Sequence, residues 1–158
     1  GFDYGNSPSQ LENIDLNNKI VVHTTSAGTQ GIANAKKADI ILTGSLVNAK
    51  AIAEYIKMNG YKEVSLVCMG LEATSQTEED NLCAYYIKSL LEDKPIELFD
   101  EIQKLKMTSG AKFFDKNQQD VFPEKDFYLS TEINKFNFVL KLEKDKETGL
   151  EYIKKIEL

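Results

Sequence analysis

Arginine is absent from this chain, since all 19 of its basic residues are lysine. The guanidinium group is the side chain that clamps a phosphate or a carboxylate with two parallel hydrogen bonds. An anion site in this chain must therefore use backbone N–H groups, lysine or a metal. The net charge of −6 and the lack of a basic patch disfavour nucleic acid and anionic membranes as partners. A small anionic substrate stays compatible, because a local site can oppose the overall charge.

Long hydrophobic runs and cysteines are also scarce. No apolar run approaches the roughly 18–20 residues that a membrane span needs, so we expect no membrane partner. The two cysteines, Cys68 and Cys83, favour reduced, buried thiols and hence a cytoplasmic protein. The chain begins with Gly1 rather than Met, which we interpret as a cut, a tag remnant or a domain boundary.

The length of 158 residues, with 42% hydrophobic and 28% charged residues, is typical of one globular domain covering residues 1–158. Apolar, β-branched runs at residues 19–25, 39–43 and 63–68 predict buried strands. They alternate with predicted helices, which indicates βαβ units. We therefore expect an α/β fold with three layers, α/β/α, around a mostly parallel sheet. Residues 138–142 and 150–156 predict a C-terminal β-hairpin.

Hydroxyl side chains follow two of the predicted strands. Residues 24–29 offer four hydroxyl groups and a glycine before a helix, an arrangement that suits phosphate. Small polar residues also make ordinary turns between a strand and a helix, so both interpretations stay open. Ser45, after the second strand, is expected to cap a helix rather than to bind a ligand. His23, the single histidine, is expected to pack in the core.

Carboxylates follow the third predicted strand, at Glu78, Glu79 and Asp80. Mg²⁺ prefers oxygen ligands and binds through one or two carboxylates, so this cluster is a candidate metal site. The alternative is a solvated first helical turn stabilised by the helix dipole. Glu79 and Asp80 are adjacent and point about 100° apart on a helix. We therefore expect one of them to reach a site while the other faces solvent.

Four short segments carry motifs in the order, and at the approximate spacing, of one known family. They are GFDYGNSP at residues 1–8, TTSAGT at 24–29, GSLVNAKAIA at 44–53 and CMGLEATSQTEEDNLCA at 68–84. Together they make the chain resemble the C-terminal two-thirds of the 2-phosphosulfolactate phosphatases of coenzyme M biosynthesis. The resemblance covers residues 1–92 well and the remainder loosely, and it implies that the chain is the C-terminal part of a longer family domain.

The resemblance implies a Mg²⁺-dependent phosphatase that hydrolyses a small, anionic phosphate ester of the 2-phosphosulfolactate type, on a layered α/β/α fold. The catalytic candidates that it implies are Asp3, Glu79 and Asp80, the last two as ligands of the metal. The phosphate-binding candidates that it implies lie in the first two motifs and are Asn6, Thr25, Gly28 and Thr29.

The chain departs from the family pattern at several positions. Gln30 replaces a basic residue, Met69 an alanine and Tyr85 a glycine. The family also carries a segment before the first motif that this chain lacks. The second hypothesis is therefore a diverged, non-catalytic module that binds small anions. The third is a nucleotide-binding α/β domain. If the chain is incomplete, we expect its partner to be a second copy of the chain in a homo-oligomer, or a separate N-terminal segment.

Overall fold

The computed structural model describes residues 1–158 and contains six α-helices and one small sheet. The helices are α1 (Pro8–Leu11), α2 (Gly28–Asn34), α3 (Ala49–Met58), α4 (Glu78–Leu91), α5 (Phe99–Met107) and α6 (Glu124–Ser130). The strands are β1 (Leu42–Thr43), β2 (Phe138–Lys144) and β3 (Glu151–Glu157). Short 3₁₀ helices cover Leu46–Asn48 and Ala111–Phe114. None of the helices has the length and apolar character of a membrane-crossing segment.

The predicted parallel sheet with three layers is wrong. The sheet has three strands in the order β1-β2-β3, and both pairings are antiparallel. Of the three predicted buried strands, only the end of the second forms one, as β1, and its partner β2 comes from the C-terminal hairpin. The predicted hairpin itself is confirmed, with Phe138 opposite Glu157 and Lys144 opposite Glu151.

The other two apolar runs lie without strand partners. No backbone hydrogen bond joins residues 20–24 or residues 63–69 to another part of the backbone. Ile20 is 96% exposed and Val22 is 79% exposed. A run of β-branched residues favours extended backbone, but a sheet forms only where another strand satisfies its N–H and C=O groups. The apolar pattern therefore predicted a partner that these segments do not have in this chain.

The core lies where α3, α4 and β2 meet. Its centre is formed by Ile52 of α3, Ile87 of α4 and Val139 of β2, and Val139 is 0% exposed. Asn48 closes one end of this core, because its side-chain amide donates to the backbone carbonyl of Phe138 at 3.3 Å. Burial of each large aliphatic side chain stabilises the fold by about 1.5–3 kcal/mol.

The chain exposes more surface than a compact protein of its mass. Its accessible surface is 11574 Å². A folded monomer of 17.8 kDa is expected to expose about 8,000 Å². The unpaired apolar segments contribute to the excess, since Val64 and Val67 are exposed as well as Ile20.

Candidate functional site

The hydroxyl-rich loop at residues 25–29 is closed by two threonines. The Thr29 hydroxyl donates to the Thr25 carbonyl at 2.7 Å, and the Thr29 N–H donates to the Thr25 hydroxyl oxygen at 3.3 Å. These bonds close the loop just before and within the first turn of α2. The N–H groups of Gly28 and Gln30 donate no hydrogen bond within the chain. The loop therefore presents two free backbone donors, together with the hydrogen of the Thr25 hydroxyl.

Met69 brings a second loop against α2. A methyl group at Gly31 would collide with the thioether of Met69, so the absence of a side chain at Gly31 allows the close approach. Met69 stands where the family has alanine, and its side chain packs on α2. The contact joins the segment at residues 68–84 to the helix that begins at Gly28.

Gly70 and Asp80 fix the second loop. The Gly70 N–H donates to Oδ2 of Asp80 at 2.7 Å. Gly70 has φ +64°, and a Cβ there would collide with the Ser75 carbonyl oxygen, so only glycine fits. Leu71 and Ser75 then pair across a tight turn, with the Leu71 N–H donating to the Ser75 carbonyl at 2.8 Å. Asp80 thus positions the loop with one carboxylate oxygen, while its other oxygen accepts no hydrogen bond from the chain.

The tip of this turn carries backbone strain. Glu72 and Ala73 have φ +54° and +57°, a left-handed conformation that costs a residue with a side chain on the order of 1 kcal/mol. Two such residues in succession persist only where the surroundings hold them in place. The pairing of Leu71 with Ser75 and the Gly70–Asp80 hydrogen bond supply that constraint.

The two cysteines lie beside Asp80. The Cys68 thiol donates to the Asp80 carbonyl oxygen at 3.4 Å, and both cysteines are free. Burial, with the negative charges of Asp80 and Cys68 adding to it, raises the pKa of the Cys83 thiol to about 12. Burial and the Asp80 charge also raise the pKa of Cys68. Both thiols therefore stay protonated near neutral pH, which makes them packing groups rather than nucleophiles.

The acidic turn at the start of α4 does not form a metal cluster. No three His, Cys, Asp or Glu side chains converge anywhere in residues 1–158 in a way that could hold a metal ion. Glu78 accepts a hydrogen bond from the Thr108 hydroxyl, Glu79 is exposed and Asp80 is half-buried. The acidic first turn also stabilises α4 through the helix dipole. The carboxylates fit a Mg²⁺ ion only in part, as one or two ligands.

The N-terminal motif is anchored by α6. Asp3 and Asn6 are exposed, and no hydrogen bond or ion pair joins either of them to the two loops. The motif is instead held at its end, where Ser7 is buried and the Ser9 N–H donates to Asp126 of α6 at 2.9 Å. Sequence reasoning missed Asp126, because one acidic residue in a weakly patterned region carries no signal of its own.

The remaining motif has a structural role. Ser45 caps the 3₁₀ helix in a capping box, because its side chain accepts from the Asn48 backbone N–H and its own N–H donates to Oδ1 of Asn48 at 3.1 Å. The prediction of a helix cap at Ser45 is thereby confirmed. The prediction of a core position for His23 is wrong, because His23 is exposed in the unpaired segment at residues 19–25.

Comparison with known proteins agrees with the motif order. The family model described as 2-phosphosulpholactate phosphatase matches residues 1–145. This chain belongs to the 2-phosphosulfolactate phosphatase family. The match reaches beyond the four motifs and includes α6 and β2, so the loosely patterned region after residue 92 is part of the family domain. No solved structure matches the chain.

Curated relatives carry the same family name. A probable 2-phosphosulfolactate phosphatase of Carboxydothermus hydrogenoformans is 38% identical over 102 residues, which cover 64% of this chain and 41% of the relative. That of Caldicellulosiruptor saccharolyticus is 37% identical over 107 residues, covering 65% of this chain and 44% of the relative. That of Bacillus subtilis is 28% identical over 150 residues, covering 93% and 64% respectively. The chain thus spans about two fifths of the first two relatives.

Proposed function

We propose that the protein to which this chain belongs hydrolyses a small phosphate ester of the 2-phosphosulfolactate type. The observation that carries the proposal is the contact of Met69, in one family motif, with Gly31 of α2, the helix that begins in another motif and has free N–H groups in its first turn. The family match over residues 1–145 supplies the class of reaction and of substrate. Because the chain covers less than half of several relatives, the activity is proposed for the whole protein.

The loop at residues 25–29 is the proposed phosphate site. Phosphoryl transfer needs donors on the equatorial oxygens of the transferring group. Without arginine, the free N–H groups of Gly28 and Gln30 and the Thr25 hydroxyl are suitable donors. Thr29 supports this role indirectly, because its hydroxyl bond to the Thr25 carbonyl holds the loop closed. Asn6 is proposed as a further phosphate contact from the N-terminal motif.

The carboxylates are proposed to serve the reaction at the other loop. Asp80 keeps one oxygen that Gly70 does not use, and Glu79 lies exposed beside it. Asp3 is the proposed third carboxylate, as an acid/base group or a metal ligand. We also propose that the hydrolysis depends on Mg²⁺, because carboxylate oxygens are ligands that this ion prefers. A bound Mg²⁺ would neutralise charge on the phosphoryl group. Because the carboxylates of this chain provide only part of a coordination shell, we assign no step to the metal.

Phosphate release from 2-phosphosulfolactate, with Mg²⁺ and with EDTA, tests this proposal. Asp80→Asn preserves the shape of the side chain and removes its charge, so we expect turnover to fall on the order of 100-fold or more. Asp93→Asn is the matched control, because Asp93 lies just past the other end of α4 with an 85% exposed side chain. That control should stay within about twofold of wild type. Equal turnover by Asp80→Asn and wild type would remove Asp80 from the site.

The second candidate function is a small-anion-binding module without hydrolysis. It is favoured by the absence of a converging metal cluster and by Gln30, a neutral residue in the loop that would hold phosphate. Thermal stabilisation by phosphate, without phosphate release in the presence of Mg²⁺, would select this candidate over the phosphatase. The cytoplasmic location expected from the free cysteines stays a prediction.

A further inference from the structure

Asp126 is a buried carboxylate without a cationic partner. It is 4% exposed, and no lysine forms an ion pair with it. Its neighbour Lys125 pairs with Glu12 instead. Burial of an ionised group is costly unless hydrogen bonds replace its water. A buried carboxylate in this position therefore needs specific hydrogen-bond donors. The donors identify the segment of the chain that Asp126 anchors.

The donors come from the other end of the chain. The Ser9 N–H donates to Oδ1 of Asp126 at 2.9 Å across 117 positions of sequence. The Ser7 and Ser9 hydroxyl oxygens lie 3.2 Å apart beside it. Burial raises the pKa of Asp126, but hydrogen bonds from Ser7 and Ser9 outweigh burial and lower it overall. The carboxylate is therefore held in its charged form by Ser7, near the end of the N-terminal motif, and by Ser9, just after it.

The helix that carries Asp126 is itself well fixed. Phe127 is buried and packs edge to face against Phe114, with their ring centroids 5.1 Å apart. A side chain at Gly110 would collide with the Phe127 ring and with the Leu105 carbonyl oxygen. Asp126 thus lies on a helix that is fixed by packing, whereas Asp3 and Asn6 are exposed. An anchor on a rigid element can limit the positions that an attached polar segment adopts.

We propose that Asp126 is a positioning residue of the site, which fixes the motif at residues 1–8 by accepting the hydrogen bond of the Ser9 N–H, just after the motif. This inference rests on the proposed function, because the motif carries the proposed catalytic Asp3. It assigns a role in the site to α6, which lies outside the four family motifs. Asp126 acts through the motif and does not itself contact the substrate.

Two variants and a matched control test this role in the full-length protein. Asp126→Ala removes the acceptor, and Asp126→Asn keeps the side-chain shape if the alanine variant does not fold. Lys125→Gln removes the neighbouring ion pair between α6 and Glu12, the residue that follows α1. Amide hydrogen exchange at Ser9 and steady-state kinetics with 2-phosphosulfolactate are measured for each variant.

We expect faster exchange at Ser9, on the order of tenfold, in both Asp126 variants, while the β2–β3 amides keep wild-type rates. The value of kcat should fall on the order of 10- to 100-fold with a smaller change in KM, because the catalytic group is displaced and the phosphate loop is intact. Lys125→Gln should match wild type in both measurements.

Unchanged exchange at Ser9 would overturn the inference whether or not the protein is active. Faster exchange with unchanged kcat would also overturn it, since the anchor would then be structural alone. An equal loss of kcat in Lys125→Gln would assign the effect to the packing of α1 on α6 rather than to Asp126. A wild-type protein without turnover would refute the proposed function. Exchange at Ser9 would then decide whether Asp126 anchors the motif.

Discussion

Residues 49–58 and residues 19–25 are both rich in apolar side chains, but they use them in opposite ways. In α3, Ile52 and Ile56 are buried against α4 and the hairpin. In the segment at residues 19–25, Ile20, Val21 and Val22 all point to solvent. The helix satisfies its own backbone groups, whereas an extended segment depends on a neighbour for every N–H and C=O. Apolar composition thus gives burial only where the hydrogen bonds of the backbone are also satisfied.

The hairpin illustrates the same condition for extended backbone. Strands β2 and β3 are close in sequence and pair over seven positions. Residues 63–68 have the same extended character, and Leu66 packs on the core, but Val67 on the other side is 74% exposed. A local partner was available to β2 and not to residues 63–68. The packed unit formed by α3, α4, β2 and β3 should therefore differ measurably from the two unpaired segments.

Amide hydrogen exchange should show the largest difference. We expect the amides of β2 that bond to β3 to exchange about a thousandfold or more slowly than those of residues 20–24, which have no backbone acceptor. Exchange read by NMR at single residues makes the comparison directly. Comparable protection in both regions would mean that residues 20–24 form a strand that the structure does not contain.

Truncation of one isoleucine in α3 and one in residues 19–25 should change the free energy of unfolding by different amounts. Ile52→Ala removes a side chain that is 3% exposed and should lower the free energy of unfolding by about 2–5 kcal/mol. Ile20→Ala removes the same atoms from an exposed site and should change it by no more than about 0.5 kcal/mol. The midpoints of urea unfolding curves measure both effects. Similar losses would contradict the assignment of Ile20 to an unburied segment.

Alanine at two glycines tests the turn between residues 63–68 and α4. Gly70 and Gly60 have nearly the same backbone conformation, with φ +64° and +68°. Alanine at either position should cost about 1–2 kcal/mol of backbone strain. Alanine at Gly70 also collides with the Ser75 carbonyl, whereas nothing lies within 4 Å of a Cβ at Gly60. Gly70→Ala should therefore destabilise the protein more than Gly60→Ala in thermal unfolding. Equal losses would argue against the tight turn at residues 71–75.

The pH dependence of stability gives the smallest expected effect, and it concerns Asp126. The folded state lowers the pKa of this carboxyl below its ordinary value of 3.8. Its contribution to stability is therefore complete above that value and is lost as the pH falls through the lower, folded pKa. Wild type should lose more stability than Asp126→Asn between about pH 5 and pH 3. Parallel curves for the two proteins would mean that Asp126 has no stabilising donors.

Local features of this chain could be predicted from its sequence. Helix α3 follows from apolar residues at helical spacing, the Ser45 cap from a hydroxyl before that helix, and the hairpin from two extended runs around a turn. Each of these depends on residues that are close in sequence. The order of four motifs also indicated the family, which the match over residues 1–145 confirms.

Contacts between distant parts of the chain could not be predicted in the same way. The parallel sheet required that three apolar runs find one another, and the pattern of a run does not identify its partner. The approach of Met69 to Gly31 and the bond from Ser9 to Asp126 join positions that share no periodicity. Glycines that accept a close neighbour, such as Gly31 and Gly70, were the available signal for the first of these contacts. No signal in the sequence pointed to the second.

The proposed site combines the phosphate loop at residues 25–29 with the carboxylate loop from Gly70 to Asp80. Titration of the protein with inorganic phosphate, followed by amide chemical shifts, tests it most directly. We predict that the Gly28, Gln30 and Gly70 amides shift together and give one dissociation constant, because Met69 of the second loop packs on α2, the helix that begins in the first loop. Shifts confined to one loop, or two different dissociation constants, would contradict a shared site.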